Sequence, residues 1–173
     1  MRIFGVPVAK FWHVEVMSLD KFDYLLLELL QRDDSRTADS LARDVPLSPS
    51  AIARRLRRLR ADGSIARSIA VLGPKLIARR LRAIITLQLK EHADVAGKSA
   101  LITRIRAVPQ IQFCYELAGT TDMLLLFDCA NMAEFNALAD AVLVADDTVR
   151  RYETSFVKQE LKFEPFVAMH EDE

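Results

Sequence analysis

Apolar residues recur with a helical period from Lys21 to Gln31, where Phe22, Leu25, Leu26, Leu29 and Leu30 share one stripe. Asp33-Asp34-Ser35 ends that stripe, and Ser18 or Asp20 stands where its N-cap belongs. A short second helix follows, capped by Thr37 and turning Leu41, Ala42 and Val45 inward. Pro46 and Leu47 form a tight turn. Ser48 then offers an N-cap and Pro49 a first helical residue, a strong start for a third helix over Pro49–Ala61. Asp62-Gly63 stops it, with glycine supplying the C-terminal turn. Ile65 to Leu72 is β-prone and predicts a small wing and linker, punctuated by Gly73-Pro74.

The period then changes. Ala83 to Lys90 alternates, with Ile85, Leu87 and Leu89 on one face of a strand. Asp94 to Ala107 predicts a helix with Leu101, Ile102 and Ile105 inward, closed by Pro109. Ile111, Phe113, Tyr115 and Leu117 alternate again, and Gly119-Thr120-Thr121-Asp122 makes a turn. Met123 to Phe127 is continuously apolar, the pattern of a strand buried on both faces. Asn131, with Glu134 three positions on, caps a helix whose stripe is Phe135, Leu138, Ala139 and Val142. Val149 to Lys158 is the last strand. The order β-α-β-β-α-β predicts a ferredoxin-like sheet with helices on one face. The uncovered face, apolar at alternate strand positions, is expected to pair with a second copy of the chain.

This predicts an α+β protein with five segments. They are an N-terminal extension (1–16), a winged helix-turn-helix domain (17–66), a linker (67–80), a ferredoxin-like domain (81–160) and a tail (161–173). Charge sharpens the division. The formal net charge of the 173 residues is zero. Residues 17–80, however, hold 13 Lys/Arg against 8 Asp/Glu, a net of +5, and residues 81–173 hold 9 against 15, a net of −6. The basic half suits a polyanion and the acidic half does not. No apolar run approaches the roughly 20 residues a membrane helix needs. Lys10, His13 and Glu15 break up any signal-like core, so the expected compartment is the cytoplasm. Cys114 and Cys129 read as free buried thiols.

The third helix carries the candidate chemistry. At about 100° per residue, Ile52, Leu56 and Leu59 fall in one narrow arc and must be core. Ser50, Ala51, Arg54, Arg57 and Arg58 fall on the opposite arc, with Arg55 and Arg60 on the flanks. Small residues near the N-terminus let a helix enter the major groove of double-stranded DNA. Arginine can bond a guanine edge bidentately, and flanking arginine can hold phosphate. Ser48, Ser50, Ala51, Arg54, Arg55, Arg57 and Arg58 are therefore the expected DNA-binding residues. An arginine cluster on its own is as often a solvated basic face. The short preceding helix and the tight turn favour the nucleic-acid reading.

Other chemistry finds no support. The three histidines, His13, His92 and His170, are far apart, and no His/Cys spacing suggests a metal. No phosphate loop or Ser-His-Asp set is present, so neither enzyme nor cofactor is expected.

The residues resemble a known family. Leu19-Asp20-x-x-Asp23-x-x-Leu26-Leu27-x-x-Leu30 opens the likeness, and Leu41-Ala42 through Leu47-Ser48 continues it. Arg55-Leu56-x-x-Leu59-x-x-x-Gly63-x-Ile65 completes its first part. Val108-Pro109, Cys114, Gly119-x-x-Asp122 and the Thr154 strand carry its second. Together, over about residues 17–160, these resemble the Lrp/AsnC, or feast/famine, transcription regulators. The resemblance implies dimers, often assembled into octamers, and an amino acid or related small metabolite as effector. It points to Gly119, Thr120, Thr121, Asp122 and Thr154 as effector-binding residues. Loop N–H groups would take a carboxylate there and Asp122 an ammonium. A plain turn-forming role for Asp122 stands beside this. The chain departs from the family pattern at Pro46, where glycine is usual, at Asp146-Asp147-Thr148, where Pro-Gly is usual, and in residues 1–16. Two other readings share the architecture: a DNA-compacting protein without effector, and an enzyme like the siroheme decarboxylases.

Overall fold

Asp20 begins the first helix. Its carboxylate accepts the Phe22 and Asp23 N–H groups at 2.9 and 3.0 Å, and the Asp23 carboxylate accepts the Asp20 N–H at 3.1 Å. This reciprocal capping box starts α1, Lys21–Arg32. The chain is described by a computed structural model over residues 2–3, 6–7, 19–90 and 95–169. Most of the N-terminal extension and all three histidines lie outside the described residues. Arg2–Ile3 (β1) and Val6–Pro7 (β2) pair as a short antiparallel ribbon.

The described residues form two compact units, one built on residues 19–71 with 162–169, the other on 72–161 with the β1–β2 ribbon. The first unit holds α1, α2 (Ala38–Leu41) and α3 (Pro49–Ala61). Its core is Leu26, Leu27, Leu30, Leu41, Val45, Ile52, Leu56 and Leu59. Thr37 caps α2 by accepting the Ser40 N–H at 3.2 Å. Gly63, at φ +84°, turns the chain out of α3, and the Ile65 N–H returns to the Leu59 carbonyl at 2.8 Å.

The segment 162–169, a bare tail from sequence alone, lies on α1. Gln31 donates to the Val167 carbonyl at 3.0 Å and accepts the Val167 N–H at 2.7 Å. The Arg32 guanidinium stands 4.5 Å from the centre of the Phe166 ring, and Met169 packs on the core. Both contacts suit residues at an exposed helix end.

The expected wing does not form as a strand. Residues 66–73 are exposed and without regular structure, ending at a four-residue helix, α4 (Pro74–Ile77). A β-prone segment becomes a strand only where a neighbour supplies ladder partners.

The second unit has the predicted order: β3 (Leu81–Leu89), α5 (Val95–Ala107), β4 (Ile111–Glu116), β5 (Met123–Cys129), α6 (Met132–Ala139) and β6 (Val149–Phe156). A π-helical turn, Asp140–Val144, extends α6. The sheet is antiparallel with strand order β4-β5-β3-β6. Ala83, Ile85, Leu87, Met123, Leu125 and Phe127 meet Leu101, Ile105, Phe135, Ala139, Val142 and Leu143 in one core.

In β4 the alternation needs a correction. Ile111, Phe113 and Tyr115 read as one face, but the register shifts between Ile111 and Phe113. Gln112 is the extra residue of this bulge, and an extra residue reverses which side follows. Ile111 and Cys114 therefore join the core, while Phe113 and Tyr115 pair with Leu126 and Leu124 on the uncovered face. Ile84 shares that face, as the partner of Leu126.

Candidate nucleic-acid interface and ligand cleft

α3 is fixed by its inner arc. Ile52, Leu56 and Leu59 are buried at 0%, 7% and 0% exposure against α1 and α2 residues. Three anchors in one arc set the rotation of the helix about its axis, so the opposite arc is presented outward. Ser50, Arg54 and Arg57 are exposed and Ala51 is half-buried. Ser48 is spent on capping. Its Oγ accepts the Ala51 N–H at 3.3 Å and lies 3.1 Å from the Ser50 Oγ. Arg57 donates back to the Ala53 carbonyl, and Arg60 reaches Asp34 at 3.3 Å.

Arg55 and Arg58 sit differently. Both point to Asp23, a carboxylate of α1 that is fully buried. Arg55 Nη1 donates to Asp23 Oδ1 at 2.9 Å and to Asp20 Oδ2 at 2.7 Å, and its guanidinium stands 5.6 Å from the Phe22 ring centre. Arg58 Nη2 donates to Asp23 Oδ2. Hydrogen bonding to Asp23, then to Asp20, holds the Arg55 guanidinium above its ordinary pKa against the opposing pull of burial. Sequence reasoning gave Asp23 no role. The Asp20-x-x-Asp23 spacing was the signal for its capping bond. Nothing local signals ion pairs 32 and 35 residues away.

Gly119, Thr120, Thr121 and Asp122 form the β4–β5 loop. Asp122 ties it to the end of β3. Its N–H donates to the Leu87 carbonyl at 2.9 Å, and its Oδ2 accepts the Leu89 N–H at 2.7 Å. Gln88 Nε2 donates to the Thr120 carbonyl at 2.7 Å. Beside this knot opens a cleft of about 410 Å³, lined by Gln88, Leu89, Lys90, Lys98, Thr120, Asp122 and Arg150. Lys98 pairs with Glu116 and Lys90 approaches Asp147 at 3.8 Å. Thr154 is on β6 opposite Ile85, and neither it nor Gly119 nor Thr121 lines the cleft. Of four further lining residues, Gln88, Lys98 and Arg150 come from β3, α5 and β6 and Lys90 directly follows β3, and no sequence motif joins them.

A second hollow, about 350 Å³, runs between α5 and β4 beside Ile102, Ile105, Ile111, Cys114 and Met123. Cys114 and Cys129 are free thiols, both pushed up in pKa by burial. Among the described residues, no group of three or more His, Cys, Asp or Glu could hold a metal, and no helix is long and apolar enough to cross a membrane.

Comparison with known proteins agrees in both units. The family model for the AsnC-type helix-turn-helix domain matches residues 19–60, and that for the Lrp/AsnC ligand binding domain matches residues 82–166. The leucine-responsive regulatory protein of Haemophilus influenzae is 31% identical over 88% of this chain and 91% of its own length. The glutamate uptake regulatory protein of Zymomonas mobilis is 31% identical over 71% and 74%. The crystal structure of a transcriptional regulator from Neisseria meningitidis, in complex with L-Met, superposes with a TM-score of 0.77 at 29% identity, covering 87% and 96% of the two chains. The chain belongs to the Lrp/AsnC family, and is a DNA-binding transcriptional regulator of that type rather than an enzyme.

Proposed function

We propose that this regulator reads a specific DNA sequence through α3, and that its second unit senses an amino acid or a related small metabolite. The observation that carries the first half is the set rotation of α3: three buried anchors on one side, Ser50, Arg54 and Arg57 exposed on the other. Ser50 and Ala51 are small enough for close approach to the groove floor, and the arginines beyond them reach base edges and phosphates. Ser48 acts by starting the helix, and Arg55 and Arg58 by bracing it.

The sensing half rests on the cleft beside Asp122. Oδ2 is engaged by the Leu89 N–H, and Oδ1, without a partner among the described residues, takes the ammonium group. Lys90, Lys98 and Arg150 line the same cleft and can neutralise a carboxylate. Gly119 and Thr121 share the loop of Thr120 and Asp122, and Thr154 shares the strand of Arg150. Relatives named for leucine and glutamate, and a neighbour crystallised with L-Met, make amino acids the first class to test. The uncovered sheet face, with Ile84, Phe113 and Tyr115, pairs two copies into a dimer, and dimers assemble further, up to an octamer.

The deciding experiment is a thermal-shift screen of the full chain against the common amino acids, followed by DNA-binding titrations with any that bind. A ligand present at 100 times its Kd stabilises the folded state by about 2.7 kcal/mol, an easily measured rise in Tm. Asp122→Asn keeps an acceptor for the Leu89 N–H and removes the charge. It should abolish the ligand shift while leaving DNA affinity intact. A chain that binds and compacts DNA identically with every amino acid tested would be a scaffold instead of a sensor.

A further inference from the structure

Five arginines crowd the third helix, yet three of them are paired within the protein: Arg60 with Asp34 at the surface, and Arg55 and Arg58 with one buried carboxylate. Asp23 is 0% exposed and its two oxygens are fully used: Oδ1 by Arg55, Oδ2 by Arg58 and by the Asp20 N–H. A buried carboxylate persists only when it is paired and hydrogen-bonded, so the arrangement is one that the fold maintains. Arg55 is enclosed on three sides, by Asp23, Asp20 and the Phe22 ring. Arg58, with its side chain 47% exposed, is at the border between core and outward arc and turns toward Asp23.

An unpaired arginine on a DNA-facing helix binds phosphate, and phosphate carries no sequence information. Each such contact raises affinity for every duplex alike and steepens the salt dependence by about 0.9 in log–log slope. A regulator gains discrimination by withholding surplus cations as much as by placing good ones.

We propose that Asp23 is a specificity-determining residue of DNA binding. It holds Arg55 and Arg58 away from the nucleic acid, so that Ser50, Ala51, Arg54 and Arg57 alone face it. The proposal rests on α3 being the helix that meets DNA.

The test measures binding of the full-length protein to a mixed-sequence duplex across a range of salt, and to the duplex it enriches from a random library. Asp23→Asn keeps the size and an acceptor oxygen but loses the charge. It should steepen the salt slope on mixed-sequence DNA by about 1 to 2, one increment for each released arginine, and lower the preference for the enriched duplex. Arg58→Gln in the otherwise native chain should leave the slope unchanged, and adding it to Asp23→Asn should remove about one increment. If Asp23→Asn fails to fold, Arg58→Gln decides alone: a slope lower by about 0.9 means that Arg58 already touches phosphate, and overturns the proposal. An unchanged slope in a folded Asp23→Asn overturns it equally. Arg54→Ala separates the two levels. If it leaves both affinities unchanged, the assignment of α3 itself fails. If it weakens binding while Asp23→Asn changes nothing, only the role of Asp23 falls.

Discussion

Asp20 and Asp23 are three residues apart and do different work. Asp20 is exposed and caps α1. Partial burial alone would raise its pKa, but hydrogen bonds from the Asp23 and Phe22 N–H groups and from Arg55 outweigh that and hold it below the ordinary 3.8. A carboxyl whose pKa is lowered by folding stabilises the fold while it is charged. That contribution is complete above the ordinary value and is lost as pH falls through the lower, folded one. Asp33, Asp62 and Glu134 are lowered as well, through bonds from Ser35, Ser64 and Ala130. Thermal stability should therefore stay level from neutral pH down to the carboxylate range and fall below it. Asp20→Asn preserves a good cap and removes the charge. Its acid limb, followed by circular dichroism, should be shallower than that of the native chain; an unchanged limb would contradict the assignment. At the DNA face, Arg54→Ala should weaken binding to the preferred sequence by about 1–3 kcal/mol, more than on mixed-sequence DNA. Equal losses on both would mean that Arg54 holds phosphate.

α3 is the element that sequence described best, and the reason is local. Ser48-Pro49 at one end and Asp62-Gly63 at the other are capping signals made by adjacent residues, and the core arc of Ile52, Leu56 and Leu59 follows from helix geometry alone. Ser48→Ala should cost about 1 kcal/mol by leaving the Ala51 N–H unpaired. Gly63→Ala should cost about 1–2 kcal/mol because φ is +84° there, although a Cβ would meet nothing within 4 Å. Both are measurable by denaturant unfolding, and a neutral Gly63→Ala would mean that the turn relaxes. What stayed illegible is non-local. The tie of Arg55 and Arg58 to Asp23 joins two helices far apart in sequence. The bulge at Gln112 is hidden because Ile111 and Phe113 are both apolar, so alternation reads through the inserted residue without a break. The cleft was half legible: the Gly119–Asp122 loop is a turn motif, whereas Lys98 and Arg150 reach it only through sheet topology.

Across the whole molecule, the charge asymmetry runs along the sequence and does not divide the two units. Residues 19–71 with 162–169 hold 11 Lys/Arg against 9 Asp/Glu. Their cations gather on α3, which has five arginines and no acid. Residues 72–161 hold 11 of each, so the unit with the cleft and the sheet is neutral. The exposed apolar face of that sheet is where assembly should be vulnerable. Tyr115 is 58% exposed and Ile84 37% in the single chain, so arginine at either position should leave the fold intact. Sedimentation equilibrium of Ile84→Arg or Tyr115→Arg should show a smaller species than the native protein. An unchanged oligomer would assign assembly to another surface.

Residues 162–169 have a consequence for anyone who would move this protein's parts. Among the described residues the chain passes from one unit to the other twice, near residue 71 and again near residue 161. The DNA-binding unit is therefore not a contiguous cassette. A fragment ending at residue 71 lacks the backbone that Gln31 grips, the ring beneath Arg32 and the methionine that packs on the core of the unit. A chimera that grafts this reader onto a foreign sensor needs two junctions, with the closing segment sewn back onto α1.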